Sequence, residues 1–252
     1  MTLLVSLLQL LPLFTAFVYA DLTRSPIVAL HPHHLVAFYP LLLNSKDFAP
    51  FGITNGYTQD GYSRTIITPK LGARLEQGTG LDLPLNIHRL NFPQLTIGAW
   101  VQVSEAMATN QGCLLSQNGS NVGRAVCVDR GQWSVGGHVL GEAAVNIDEW
   151  SFVSVVFSEN STILFVDGEI VEIDVKLESV ASSLLVVGAA AEQPLGGITG
   201  YLKSVFLLDI ALSETELRYL MITEEVAAQD THTIAAPTPV EPGKDKPFPV
   251  CI

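Results

Sequence analysis

The chain has 252 residues, with 25 acidic against 13 basic side chains and a net charge of −12. That length suits one large domain better than several small ones. The acidic balance opposes the counterion release that drives binding to phosphate backbones, so nucleic acid and anionic membrane surfaces are excluded as partners.

Met1 to Ala20 carry no charge, hold the apolar run Leu3 to Val18 and end in Val18-Tyr19-Ala20, a small-x-small site suited to signal peptidase. This is the pattern of a secretory signal peptide cleaved after Ala20. The remainder offers no other stretch long and apolar enough to span a bilayer. A secreted, extracellular chain is expected.

From about Leu30 to Ile222 short apolar runs alternate with Gly, Asn, Asp and Pro clusters, the pattern of an antiparallel β-sandwich. Leu95, Ile97, Ala99, Val101 and Val103 alternate with Thr96, Gly98, Trp100 and Gln102, which puts an apolar row on the core side and Trp100 on the opposite face. Cys113 and Cys127 flank a turn-rich segment that reads as a hairpin, and cross-strand spacing suits a disulfide between them. Trp150 to Phe157 is apolar on both faces, as in a central strand covered on both sides. Asp167-Gly168 then supplies the positive φ of a two-residue hairpin turn, and Glu169 to Leu177 returns with Val171, Ile173, Val175 and Leu177 inward. Leu184 to Val187 and Tyr201 to Leu208 are further strands. Ser213-Glu-Thr-Glu216 is a capping box with Leu212 and Leu217 as its hydrophobic staple, predicting a short helix from Glu214 to about Met221. The predicted domain spans 30–222. Residues 223–252, rich in Ala, Thr and Pro, are expected to be extended or disordered. Cys251 in that tail is left odd; it pairs with another chain, or the sequence is a truncated product.

An ordered series of motifs over about 190 residues is similar to the laminin G-like domains of the concanavalin A-like lectin and glucanase superfamily. Phe38-Tyr39-Pro40-Leu41 with Asp47 resembles their first strand and loop, and Leu95 to Val101 their next diagnostic strand. Trp150 to Phe157 followed by Leu164-Phe-Val-Asp-Gly168 resembles their tryptophan strand and Val-Asp-Gly hairpin. Gly188, Gly197 to Val205 and Ala211 to Leu217 resemble the closing strand and short helix. The resemblance implies an all-β, two-sheet jelly roll used outside cells to bind glycans, proteins or, in some members, calcium at the rim. Calcium-binding members commonly carry an acidic residue in the closing strand, whereas Gly200-Tyr-Leu-Lys-Ser204 has none. Asp47, Asp60 and Asp82 lie in predicted loops as hard oxygen donors, but calcium needs six to eight oxygens and no clustered acidic loop is present.

Three functions stay open: a module binding a glycan or an extracellular protein, a degenerate laminarinase-like hydrolase, and a structural domain without its own ligand. Related hydrolases carry a nucleophile and an acid on one strand face, and Glu172, Asp174 and Glu178 come near that pattern. Retaining chemistry places two carboxyl groups about 5 to 5.5 Å apart, whereas residues 174 and 178 would lie about 13 Å apart on a strand. A solvated polar face is the plainer reading, and no catalytic residue is assigned. Trp133 and Trp150 are candidates for a sugar platform, set against the commoner fate of tryptophan in a core. His31, His33 and His34 form a possible zinc cluster that no cysteine or carboxylate follows at ligand spacing, so they read as a polar approach to the first strand. His88 and His138 stand alone. Asn118-Gly-Ser120 and Asn160-Ser-Thr162 are glycosylation sequons, each in a predicted turn.

Overall fold

The computed structural model of the protein describes residues 25–42, 45–49, 55–56, 65–68, 71–76, 79–117, 122–173, 177, 184–188 and 196–230, with side chains to residue 224 except that of residue 196. The signal segment, Asp60, the Asn118 sequon, Asp174, Glu178 and Cys251 lie outside the described residues.

The chain enters by helix α1 (Pro26–Leu30) and closes with helix α2 (Glu214–Asp230). Between them run β1 (Leu35–Tyr39), β2 (Ile66–Thr68), β3 (Gly72–Leu75), β4 (Leu81–Leu83), β5 (Leu95–Val103), β6 (Gln111–Gln117), β7 (Val126–Asp129) and β8 (Gln132–Val135). The series continues with β9 (His138–Ala144), β10 (Trp150–Phe157), β11 (Thr162–Val166), β12 (Glu169–Ile173), β13 (Leu185–Val187), β14 (Gly196–Gly197) and β15 (Gly200–Leu208). One sheet has the order β12-β11-β10-β5-β15-β3-β2, with β1 also on β15; the other runs β4-β13-β6-β7-β8-β9, with β14 on β6. The pairing is antiparallel except for β14 on β6 and an isolated bridge from Val103 to Ile147. The expected two-sheet sandwich is the observed one.

Period-two alternation decides which side chain goes where. Leu95, Ile97, Ala99, Val101 and Val103 of β5 face Leu115, Val126, Val128 and Trp133 of the other sheet in the main core. Trp100, as expected, turns the other way. What alternation alone does not reveal is that this outer face is also buried: α1 and α2 lie over it and form a second apolar layer of Ile27, Leu212, Leu217 and Leu220 on Phe38, Phe152, Phe165 and Phe206. Gly98 makes that layer possible, because a Cβ there would come within 2.3 Å of the Phe206 ring.

The local turn and cap chemistry is equally direct. Asp167 (φ 48°) and Gly168 (φ 97°) form the predicted hairpin turn, and Asp167 Oδ1 accepts the Phe152 N–H at 2.7 Å. At the head of α2 the Ser213 N–H donates to Glu216 Oε2 (2.8 Å), and the Glu216 N–H donates to Ser213 Oγ (3.4 Å). Both staple residues, Leu212 and Leu217, are buried. Cys113 and Cys127 occupy opposed positions of β6 and β7 and are joined by a disulfide, fully buried beside Ala125.

The packed unit exceeds the predicted limits 30–222 at both ends. Helix α2 runs to Asp230 rather than to Met221, since Glu224, Ala227, Ala228 and Gln229 are good helix formers and Glu224 is held inside the fold. Upstream, Ile27 of α1 is buried against α2.

Candidate ligand-binding face

The helical layer covers the outer face of the larger sheet from the end carrying Leu95, Phe157 and Leu208 to its middle. Beyond its edge, register brings five side chains into one row across five strands: Ile66 opposite Arg74, Arg74 opposite Tyr201, Tyr201 opposite Gln102, and Gln102 opposite Trp150. Directly opposed residues of antiparallel strands share a face. Trp150, Tyr201 and Gln102 are half-buried, while Arg74 and Ile66 are exposed. Neighbouring strands lie about 4.8 Å apart, so Trp150 and Tyr201, two strands apart, are separated by about 10 Å. That span fits two linked sugar rings.

The row is held in place. The Gln102 side-chain amide donates to the Asp148 carbonyl at 2.7 Å, and Arg74 pairs with Glu76 at 2.5 Å. Lys203, one row inward, lays its Nζ 4.2 Å from the Trp150 ring centroid and 6.0 Å from that of Trp100, an arrangement that orients an indole by cation–π attraction. Burial lowers the Lys203 pKa, and the charge of Glu224 opposes that shift. The Trp100 indole N–H, buried beside them, has no hydrogen-bond partner among the described residues.

Lys203 is where β15 breaks step: its pairing with β5 shifts between Lys203 and Phe206, with Ser204 at φ 52°. The bulge meets the helical layer. Glu224 of α2 is buried there and accepts the Ser25 hydroxyl at 2.5 Å. Burial raises its pKa, against the opposing effects of hydrogen bonds from Ser25, Ile27 and Ser204 and the charge of Lys203.

The tryptophans separate cleanly. Trp133 is 0% exposed in the main core and is no platform, whereas Trp150 is half-exposed on the row. The histidines find carboxylates that sequence spacing could not supply: His31 Nε2 bonds Glu216 Oε1 at 2.7 Å, and His34 Nδ1 bonds Asp209 Oδ1 at 2.8 Å. These are pairwise clips between the amino-terminal segment and the region of α2. Among the described residues no three His, Cys, Asp or Glu side chains converge as metal ligands. Asp47 Oδ1 is used by the Phe38 and Ala49 N–H groups, each at 3.0 Å. Asp82, expected in a loop, stands instead in the middle of β4, 1% exposed, with its pKa raised by burial. A three-residue Leu-Asp-Leu strand between Gly80 and Pro84 gives too little periodicity to be read as a strand. Glu172 is exposed on the edge strand β12 opposite Ile163. Asn160 is exposed in the turn between β10 and β11.

Sequence reasoning singled out Trp150 but missed Tyr201 and Arg74 as its companions. Their parity was legible, since Gln102 lies on the face opposite the apolar row of β5. Which strands lie side by side was not.

Residues 76–218, more than half of the chain, match the family described as the concanavalin A-like lectin/glucanases superfamily. No curated protein matches the sequence. Similar solved structures include the binding domain of botulinum neurotoxin serotype D, at 14% identity and a TM-score of 0.57 over 77% of this chain and 52% of that one. Another is a botulinum neurotoxin serotype D ligand binding domain in complex with N-acetylneuraminic acid, at 13% identity and a TM-score of 0.58 over 79% and 52%. The chain therefore spans about half the length of these structures, and at such identities the likeness is one of fold.

Proposed function

The chain belongs to the concanavalin A-like lectin/glucanase superfamily, and on that premise we propose that it is a secreted recognition module holding a neutral oligosaccharide against the strip Trp150–Gln102–Tyr201–Arg74. The observation that carries this reading is the pair of half-exposed aromatic rings at a disaccharide-like spacing, flanked by side chains able to hydrogen-bond hydroxyl groups. Aromatic faces pack on the C–H faces of sugars, while a few placed polar groups fix orientation. The N-acetylneuraminic acid bound by a domain of similar fold supports a sugar as the ligand; that sugar is anionic, so the preference for a neutral one rests on charge alone. The net charge of −12 favours a neutral sugar over an anionic one. The leader-like segment Met1 to Ala20 and the Cys113–Cys127 disulfide support passage through an oxidising secretory compartment.

The hydrolase alternative is weaker. Glu172 sits at a sheet edge, and its cross-strand neighbour is Ile163 rather than a second carboxylate. Two experiments separate the readings. On a glycan array the secreted chain binds a restricted set of neutral oligosaccharides, and Trp150→Ala or Tyr201→Ala removes the signal. An array without selective binding would favour a structural role, and release of reducing sugar from β-glucan that Glu172→Gln abolishes would establish a hydrolase.

A further inference from the structure

The strip and the Asn160 sequon lie at opposite ends of β10. Trp150 opens the strand and Phe157 ends it, which at about 3.4 Å per residue puts the turn bearing Asn160 about 24 Å from the strip. That turn is closed by its own hydrogen bonds: the Ser158 hydroxyl donates to the Ser161 carbonyl at 2.9 Å and accepts the Ser161 N–H at 3.0 Å. The Asn160 side chain is exposed, so its amide nitrogen is open to solvent.

The neighbouring turn carries the most exposed large apolar side chain among the described residues, Leu90, at 85%. Leu90 tips the turn leading into β5, and its neighbour Arg89 crosses to the Asn160 turn, donating to the Glu159 carbonyl at 2.7 Å. The two turns are thus tied together at one end of the sandwich. A branched oligosaccharide is several times longer than the arginine side chain that joins them.

We infer that Asn160 carries an N-linked glycan that shields Leu90 and closes this end of the sandwich, leaving recognition to the opposite end. The acceptor chemistry is that of any exposed Asn-x-Thr turn in a secreted chain, and the bond formed joins the Asn160 amide nitrogen to the first sugar, with a lipid-linked oligosaccharide as donor and its lipid pyrophosphate as leaving group. Glycosylation and shielding rest on the secreted part of the proposed function, and the last clause rests on its recognition part as well.

The full chain should be expressed with its own leader in a glycosylating secretory host, and the peptide containing Asn160 mapped by mass spectrometry. Expected is a glycan on that peptide, independently of Asn118, and loss of one mobility step in Asn160→Gln. The Asn160→Gln protein should bind more of a hydrophobic dye than wild type, and adding Leu90→Ser should return dye binding to the wild-type level. Secreted protein with Asn160 unmodified, retention of the chain in the cytosol, or dye binding unchanged in folded Asn160→Gln protein would each overturn the inference. Because mapping and dye binding use no ligand, their failure is distinguishable from a silent glycan array.

Discussion

Trp133 and Trp150 carry the same side chain in opposite settings, so truncating each reads a different quantity. Trp133 is wholly enclosed by the main core, and large-to-small changes at such positions cost about 3–5 kcal/mol. Trp133→Ala should therefore lower the midpoint of thermal unfolding steeply. Trp150→Ala removes a partly buried ring at the edge of the second apolar layer and should lower the unfolding midpoint less than Trp133→Ala while abolishing sugar binding; calorimetry alongside the array checks both. Glu216 gives a second test at this scale. Its carboxylate accepts from Ser213 and bonds His31, and these hydrogen bonds, those of Ser213 foremost, hold its pKa at about 2 against an ordinary value of 4.5. A depressed acid supplies stability that is complete above its unfolded pKa and is lost as pH falls through the folded one. The cap should therefore weaken between pH 4.5 and about 2. Ser213→Ala should cost about 1 kcal/mol at neutral pH, and its difference from wild type should shrink below pH 2.5 or so as Glu216 protonates. Unfolding curves of the two proteins across that window are the measurement; a gap that stays constant would show that Glu216 takes no part in the cap.

Helix α2 illustrates what an element's own sequence does and does not announce. Its start was written in Ser213-Glu-Thr-Glu216 with Leu212 and Leu217, because the box and the staple are made by residues three and five positions apart. Its extension to Asp230 was only half legible: Ala227, Ala228 and Gln229 favour helix, but Glu224 is held by Ser25, far away in sequence. The strands show the same division. The Asp167-Gly168 turn fixes its own hairpin, whereas the row from Ile66 to Trp150 exists only once β15 has inserted between β5 and β3. The buried Glu224 also makes a prediction at the scale of the layer. Its pKa is raised by burial, so the folded state holds the proton more tightly than the unfolded chain. Its contribution is complete below the ordinary carboxylate value and is lost as pH rises through the raised one. Glu224→Gln keeps an acceptor for Ser25 and should flatten that component of the stability–pH profile. Glu224→Ala leaves the part-buried Ser25 hydroxyl without this partner, a loss of about 1 kcal/mol, and should speed hydrogen exchange at the α1 amides Val28 to Leu30. Equal exchange in Glu224→Ala and wild type would mean that α1 is held by its apolar contacts alone.

At the scale of the molecule, charge and shape constrain what the strip can hold. The chain carries a net −12, and the cations on and beside the strip are already engaged: Arg74 with Glu76, and Lys203, one row inward, stacked on Trp150 and half-withdrawn from solvent. A ligand recognised by ring stacking and neutral hydrogen bonds releases no condensed counterions. Its affinity should therefore change by no more than about twofold between 50 and 200 mM salt, where a protein gripping a polyanion through several phosphate contacts loses about 10³-fold or more. Lys203→Met tests the same point from the protein side. It removes the charge but keeps an apolar stem over the indole, so binding of a neutral oligosaccharide should fall modestly through a looser Trp150, with no change in salt dependence. Titration calorimetry of the best array ligand at the two salt concentrations, on wild type and Lys203→Met, decides the matter. A steep salt slope that Lys203→Met relieves would mean that the strip takes an anionic group at Lys203, and that the acidic remainder of the surface sets a limit on affinity rather than the identity of the ligand.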